Sequence, residues 1–349
     1  KPPAARKQRA ALFPTLDGSA SASRFVRRSE GAFGGGAETE TGNQFRVGLA
    51  AGYLVDIWNK AGAGHAAAQL AADASLYDAL STRLALSAQV AGTWYRLIEQ
   101  RAQLEVLAEQ LGSNEKSLEL VELRFRRGQI PVTDVLRQRQ LVESVRTERA
   151  AVENTRASLR HQLAVLTGRT PGRVELPAVQ VFPELPPLPR TGTPSEWLQV
   201  RPDIQAAYAR VLSRDRTVAV ALADRYPSLT LSANAESTVP TLSELFDQWA
   251  LSLAGSAAAP IFTGGRRQAE VDRARAALAE AVHNYGQTIL NAFREVEDAL
   301  VREKKQTEHI ARLEKQIDLA AKALDQARQR YKAKSFHFLL RGQKMKNLH

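Results

Sequence analysis

The side chains best suited to chemistry are dispersed in this chain, and their spacing argues against catalysis. The six histidines (His65, His161, His283, His309, His337, His349) fall in different segments. None forms the i, i+4 pair with an intervening Glu that places two ring nitrogens on one helix face for zinc. No Gly-x-Ser-x-Gly elbow is present to expose a nucleophilic serine. Glu295 and Glu297 stand two apart, on different faces of a helix, so they cannot work as an acid–base pair. The chain has no cysteine, which removes disulfides, thiolate metal sites and a thiol nucleophile together. The Gly-rich, acidic stretch Ser29 to Asn43 lacks the Gly-Lys-Ser/Thr of a phosphate cradle and reads as a solvated hairpin loop. The expectation is a protein that is not an enzyme and that has no cofactor and no metal.

Composition narrows the class further. Aromatic residues make up only 6% of the 349 residues, and Ala, Leu, Arg, Glu and Gln dominate long stretches, which favours thin helical packing over a thick core. The net charge is +11, but Arg and Lys are interspersed with Glu and Asp and are not interleaved with aromatics. That pattern excludes nucleic acid as the expected partner. No run approaches the roughly 18 apolar residues of a membrane-spanning helix, and no signal leader opens the chain. A β-barrel would leave only a weak alternating signal, so a membrane location stays open.

The elements that organise these residues occur twice. Residues 45–57 alternate strictly, with Phe45, Val47, Leu49, Ala51, Tyr53, Val55 and Ile57 on one face, and Arg46, Gly48, Ala50, Gly52, Leu54 and Asp56 on the other. Tyr226 to Glu236 repeats the pattern, and Trp249, Leu251, Leu253 and Gly255 fall in register with Phe45, Val47, Leu49 and Ala51. Phe13-Pro14-Thr15-Leu16 and Tyr226-Pro227-Ser228-Leu229 open the two copies. Each strand pair hands over, through small residues, to a very long helix. Leu104, Leu107, Leu111, Leu118, Val121 and Phe125 hold a heptad frame in the first copy. Ile310, Leu313, Ile317, Ala320, Leu324, Ala327 and Tyr331 hold one in the second. His65 to Arg127 alone gives a rod of about 95 Å.

The expected organisation is a first repeat over 1–168, with strand pair 13–57, long helix 62–127 and returning helix 131–167. A Pro-rich linker follows over 169–200. The second repeat covers 201–349, with helix 202–224, strand pair 226–262, long helix 266–333 and a truncated returning helix. By the symmetry of the repeat both ends are expected to be cut. Four strands cannot close a barrel, and open edges in lipid would leave N–H and C=O groups unpaired. Three chains would supply twelve strands. Tyr53, Trp58, Tyr226, Trp249 and Phe262 lie near strand ends, where an aromatic girdle would sit. The expected fold is therefore mainly α with a small β part: a long α-helical hairpin barrel plus four β-strands per chain, contributing to a shared twelve-stranded trimeric β-barrel. The competing readings are a soluble sandwich with a helical appendage, and a soluble periplasmic coiled-coil scaffold or adaptor.

At this level the residues resemble the TolC-like outer-membrane efflux channels, in the branch serving resistance–nodulation–division pumps. The matching pieces include Val55-Asp56-Ile57-Trp58, Arg124-Phe125-Arg126-Arg127-Gly128 with Asp134-Val135-Leu136, and Leu166-Thr167-Gly168. The second half adds Arg201-Pro202-Asp203-Ile204, Pro260-Ile261-Phe262-Thr263-Gly264-Gly265-Arg266 and Phe293-Arg294-Glu295-Val296-Glu297-Asp298-Ala299-Leu300. The resemblance implies a homotrimer in outer-membrane lipid, reaching into the periplasm and passively exporting drugs and other small toxic molecules. It implies a periplasmic membrane-fusion adaptor and an inner-membrane pump of the resistance–nodulation–division or major-facilitator type. A type I protein secretion duct is the alternative within the family. The helical turns would be periplasmic tips that dock the adaptor, marked by Arg124, Phe125, Gly128 and Lys334. Asp134 and Tyr331 would contribute to a gate. The second turn departs from the family pattern: Lys334 and Ser335 replace its glycine, and Phe338 and Arg341 stand where acids are expected. That implies a less acidic constriction. The branch often carries a lipidated N-terminal cysteine, which this chain as given lacks.

Overall fold

A computed structural model of the chain describes residues 3–29, 38–172, 182–183 and 200–346. Most of the expected linker, 173–181 and 184–199, and the tip of the first β-hairpin lie outside the described residues. The elements run α1 (Pro3–Ala10), β1 (Thr15–Ser29), β2 (Glu38–Val55), α2 (Lys60–Arg126), α3 (Val132–Leu166), α4 (Pro202–Ala223), β3 (Ser228–Val239), β4 (Ala250–Ala258) and α5 (Arg266–Lys346). The fold is mainly helical with four antiparallel strands. Two compact units are distinguished, residues 1–278 and 279–349.

The four strands form one open antiparallel sheet in the order β1-β2-β3-β4. The register is continuous across it: Leu49 stands opposite Gly18 on one side and Ala235 on the other, and Ala235 opposite Leu251. The central pair joins the two copies, with Phe45 opposite Val239 and Val55 opposite Leu229. Strands β1 and β2 extend further towards their hairpin than the strict alternation indicates, to the Ser29–Glu38 pair.

The 67 residues of α2 span about 100 Å. Two shorter helices share its length. Against its far half packs α3, through Leu97, Leu159 and Leu163 and then through Leu107, Val145 and Val152. Ion pairs Arg139–Glu122 (2.7 Å) and Arg146–Glu115 (2.8 Å) cross the same seam. Against its near half packs α4, where Ser213 Oγ donates to the Ala67 carbonyl at 2.9 Å and Arg210 pairs with Asp78. The apolar seam drives both pairings. The surface ion pairs contribute register more than energy, since exposed pairs are each worth about 0–1 kcal/mol. The C-terminal end of α4 buries Ala221 against Val271 and Ala274 of α5.

One expected boundary is corrected. The second long helix does not turn at Lys334; α5 continues to Lys346. The physical reason is the absence of a breaker. No glycine or proline lies between Gly286 and Gly342, whereas the first long helix meets Gly128 and then Pro131. The truncated returning helix is accordingly not a separate element. Along residues 279–330, Leu290, Val301, Ile310, Leu313, Ile317 and Leu324 are exposed in the single chain.

Candidate functional site

The sheet separates two chemistries. One face carries Leu16, Ala20, Phe45, Val47, Leu49, Ala51, Tyr53, Val55, Leu229, Leu231, Ala233, Leu251 and Leu253, aligned by the register into one apolar band. Its outer residues are open to the surroundings: Leu251 is 75% and Leu253 78% exposed. The ten residue steps from Val55 to Phe45 cover about 33 Å along a strand, and at a tilt near 45° that is a height of about 23 Å. The apolar band of an outer-membrane barrel is about 25 Å tall. The opposite face is built from Thr15, Ser19, Ser21, Ser23, Gly48, Gly52, Thr230, Ser232, Asn234, Ser252 and Ser256, with few large side chains.

Of the expected girdle residues, Trp58, Tyr226 and Phe262 lie beyond the helical end of this band, Trp249 lies at its hairpin end, and Tyr53 lies inside it. Trp58 stacks on Tyr226 with ring centroids 4.6 Å apart, and its Nε1 donates to the Pro227 carbonyl at 2.7 Å. This couple sits where the strands meet the helices. Phe262, beyond β4, is exposed on that side, and Tyr53 lies within β2 opposite Leu231. At the other end Trp249 lies 6.4 Å from Phe246, a ring that sequence reasoning did not single out because its surroundings show no alternation.

Between strands and helices lies a charged junction that sequence reasoning also missed. The Asp56 carboxylate accepts the N–H groups of Ala61 (3.0 Å) and Gly62 (2.8 Å), satisfying donors at the start of α2. Asp224, at the C-terminal cap of α4, pairs with Lys60 at the start of α2 and with Arg267 at the start of α5 (3.0 Å). One carboxylate thus ties three helix ends and offsets two cations placed at helix N-termini, where the dipole disfavours them. The hydrogen bond from Lys60, aided by Arg267, holds the Asp224 carboxyl below its ordinary pKa. Its folded value being the lower one, its contribution is complete above the unfolded carboxylate value, about pH 4, and fades as pH falls from there. Asp224→Asn is therefore expected to lower the melting midpoint at pH 7 and to flatten the loss of stability below pH 4. A midpoint equal to that of the unaltered protein at pH 7 would remove the junction's role.

The tip of the α2–α3 hairpin is a tight, fully exposed turn. Gly128 has φ +69°, its N–H bonds to the Phe125 carbonyl at 2.8 Å, and the Gln129 N–H bonds to the Arg124 carbonyl at 3.0 Å. These two bonds satisfy the last carbonyls of α2 in the left-handed termination that glycine favours. Pro131 then precedes α3 with extended backbone. Around the turn Leu123, Arg124, Phe125, Arg126 and Arg127 are exposed, with Val132 and Leu136 on the returning side. Asp134 occupies the first turn of α3, where a carboxylate is favoured by the helix dipole, and its side chain has no partner among the described residues. Asp134 belongs to the first unit, while Tyr331 and Lys334 lie within α5 in the second. No described helix is long and apolar enough to cross a membrane, and no group of acids and histidines among the described residues could hold a metal.

A sheet with one lipid-compatible face, joined to helices of this length that end in an exposed hairpin, defines an outer-membrane duct and not a soluble scaffold. The chain belongs to the outer membrane efflux protein family, whose model matches residues 4–169 and 193–333. It is 30% identical to the pyoverdine export outer membrane protein OpmQ of Pseudomonas aeruginosa, over 93% of this chain and 69% of that protein. It is 31% identical to the outer membrane protein OprJ of the same species, over 84% of this chain and 62% of OprJ. Among solved structures it is similar to the outer membrane protein VceC of Vibrio cholerae (TM-score 0.81, 25% identity, 94% of this chain and 79% of that one). It is also similar to the open MtrE outer membrane channel of Neisseria gonorrhoeae (TM-score 0.79, 26% identity, 94% and 73%). The protein is an outer-membrane efflux channel of the TolC-like class, a transport duct and not an enzyme.

Proposed function

We propose that three copies of this chain close a twelve-stranded barrel in the outer membrane and form the passive exit duct of a tripartite pump. The observation that carries this reading is the open four-stranded sheet: β1 and β4 are its edges, and one face carries a continuous apolar band from the helical end of the strands. In lipid such edges must pair, and the ends of neighbouring copies supply the strands that do so. The Arg124–Gly128 tip docks a periplasmic adaptor, and an inner-membrane pump, of the resistance–nodulation–division or major-facilitator type, supplies the energy. The cargo is small: relatives are named for pyoverdine export and toluene efflux, which supports amphiphilic small molecules. Asp134 contributes to closure of the tip through a breakable bond to a neighbouring cation.

Crosslinking of the detergent-extracted protein is expected to give three-chain species, and these should conduct ions in planar bilayers. Asp134→Ala is expected to raise single-channel conductance. A monomer that conducts would end the shared-barrel reading. Unchanged conductance in the Asp134 variant would leave that residue only its place in the first turn of α3.

A further inference from the structure

The strand register also orders charge along the polar face. Between the Thr15–Gly52 row and the Ser23–Gln44 row, nearly every side chain on this face is Ser, Thr, Ala, Gly, Asn or Gln. The charged exceptions are Asp17, Glu236 and Arg46. Asp17 stands in the row of Ala50 and Asn234; Glu236 in the row of Gly48 and Ser19; Arg46 in the row of Ser21 and Thr238. From the helical end to the hairpin end the order is acid, acid, base, in successive rows about 7 Å apart.

Local geometry keeps these charges separate. Arg46 Nε donates to Thr238 Oγ1 within its own row at 3.2 Å, which tethers the guanidinium to the wall. No ion pair joins Arg46 to either carboxylate among the described residues. Gly48, buried between them, leaves room for the stem of Glu236: a Cβ on Gly48 would lie 3.4 Å from Glu236 Cβ and 3.6 Å from Ser19 Oγ. All three charged residues are exposed on a wall of small side chains, so nothing of comparable size competes for the lumen at these rows.

We propose that Asp17, Glu236 and Arg46 form a charge filter in the barrel lumen, with a negative zone on the helical side and a positive zone on the hairpin side. The filter favours cationic over anionic solutes at the inner rows, and Arg46 limits how far a cation is held. The inference rests on the shared-barrel reading, in which each row recurs three times and the carboxylates fall on every second strand. Rings of charge lining a narrow water-filled passage set local ion concentration in this way.

The absence of cysteine makes a direct test possible, because a single thiol can report the potential at its own row whatever the tip does. Asn234→Cys reports the Asp17 row, Ser21→Cys the Arg46 row and Ala233→Cys the apolar face. The full chain in outer-membrane vesicles is treated with cationic and anionic methanethiosulfonates of similar size. At Asn234→Cys the cationic reagent should react about threefold or more faster, and at Ser21→Cys the ratio should reverse. Asp17→Asn with Glu236→Gln should cancel the first preference. Arg46→Gln, which keeps a donor for Thr238, should cancel the second, and Arg46→Lys should retain it. Equal ratios at the two rows, or ratios unmoved by neutralisation, overturn the filter and leave the duct. Labelling of Ala233→Cys as fast as that of Asn234→Cys overturns the face assignment, and the duct and the filter fall together.

Discussion

Leu253→Arg is expected to empty the outer membrane of this protein, while Ser252→Arg, one residue away, is expected to leave it in place. Successive strand residues point to opposite faces, so the two substitutions place the same charge in opposite surroundings. Leu253 is 78% exposed and pairs with Ala233, which pairs in turn with Ala51, near the middle of the apolar band. An arginine at the bilayer midplane costs about 2–4 kcal/mol, and three copies in the proposed shared barrel would bring that to roughly 6–12 kcal/mol, comparable to a whole domain's stability. Ser252 stands in the row of Asn234, on the polar side, where a guanidinium keeps its water. The measurement is the fraction of chain that floats with outer membranes and migrates as a trimer. Both variants inserting normally would mean that the apolar face does not meet lipid.

The parts of this architecture that could be read from sequence are those with a period. Alternation over 45–57 gave the sheet face, and the Arg124–Gly128 turn announced itself through a glycine at the end of a heptad frame. The hairpin end of β1 and β2 was less legible for a physical reason. Arg24, Arg27 and Arg28 pair there with Asn43, Glu40 and Thr39, so both faces are polar and no alternation survives. Such rows suit a barrel wall that rises beyond lipid into water. The Asp224 junction was invisible because its partners are set by three-dimensional packing: Lys60 is 164 residues away in sequence. The turn expected at Lys334 came from the symmetry of the repeat rather than from local residues. Where a breaker was missing, the helix ran on.

The same dependence on one local residue makes Gly128 the most sensitive point of the tip. A Cβ added there would meet nothing within 4 Å, so a substitution is opposed only by the backbone at φ +69°. A β-branched residue in that left-handed conformation costs about 1–2 kcal/mol, and asparagine less, because its side chain tolerates it. That strain is too small to open a hairpin held by Leu107, Val145 and Val152 and by the Arg146–Glu115 pair. It is large enough to rotate the turn out of the bonds from Gly128 and Gln129 to Phe125 and Arg124, carrying the exposed side chains around the turn with them. Gly128→Val is therefore expected to abolish efflux while trimer yield and membrane insertion stay normal, and Gly128→Asn should keep most of the activity. Gly168 ends α3 with φ +70° and the same two bonds, to Val165 and Ala164, far along the hairpin from the tip. Gly168→Val imposes equal strain without moving the tip, so it should leave adaptor docking intact. Drug susceptibility of a deletion strain carrying each variant separates these outcomes. Normal resistance with Gly128→Val, or equal loss with Gly168→Val, would detach the docking surface from this turn.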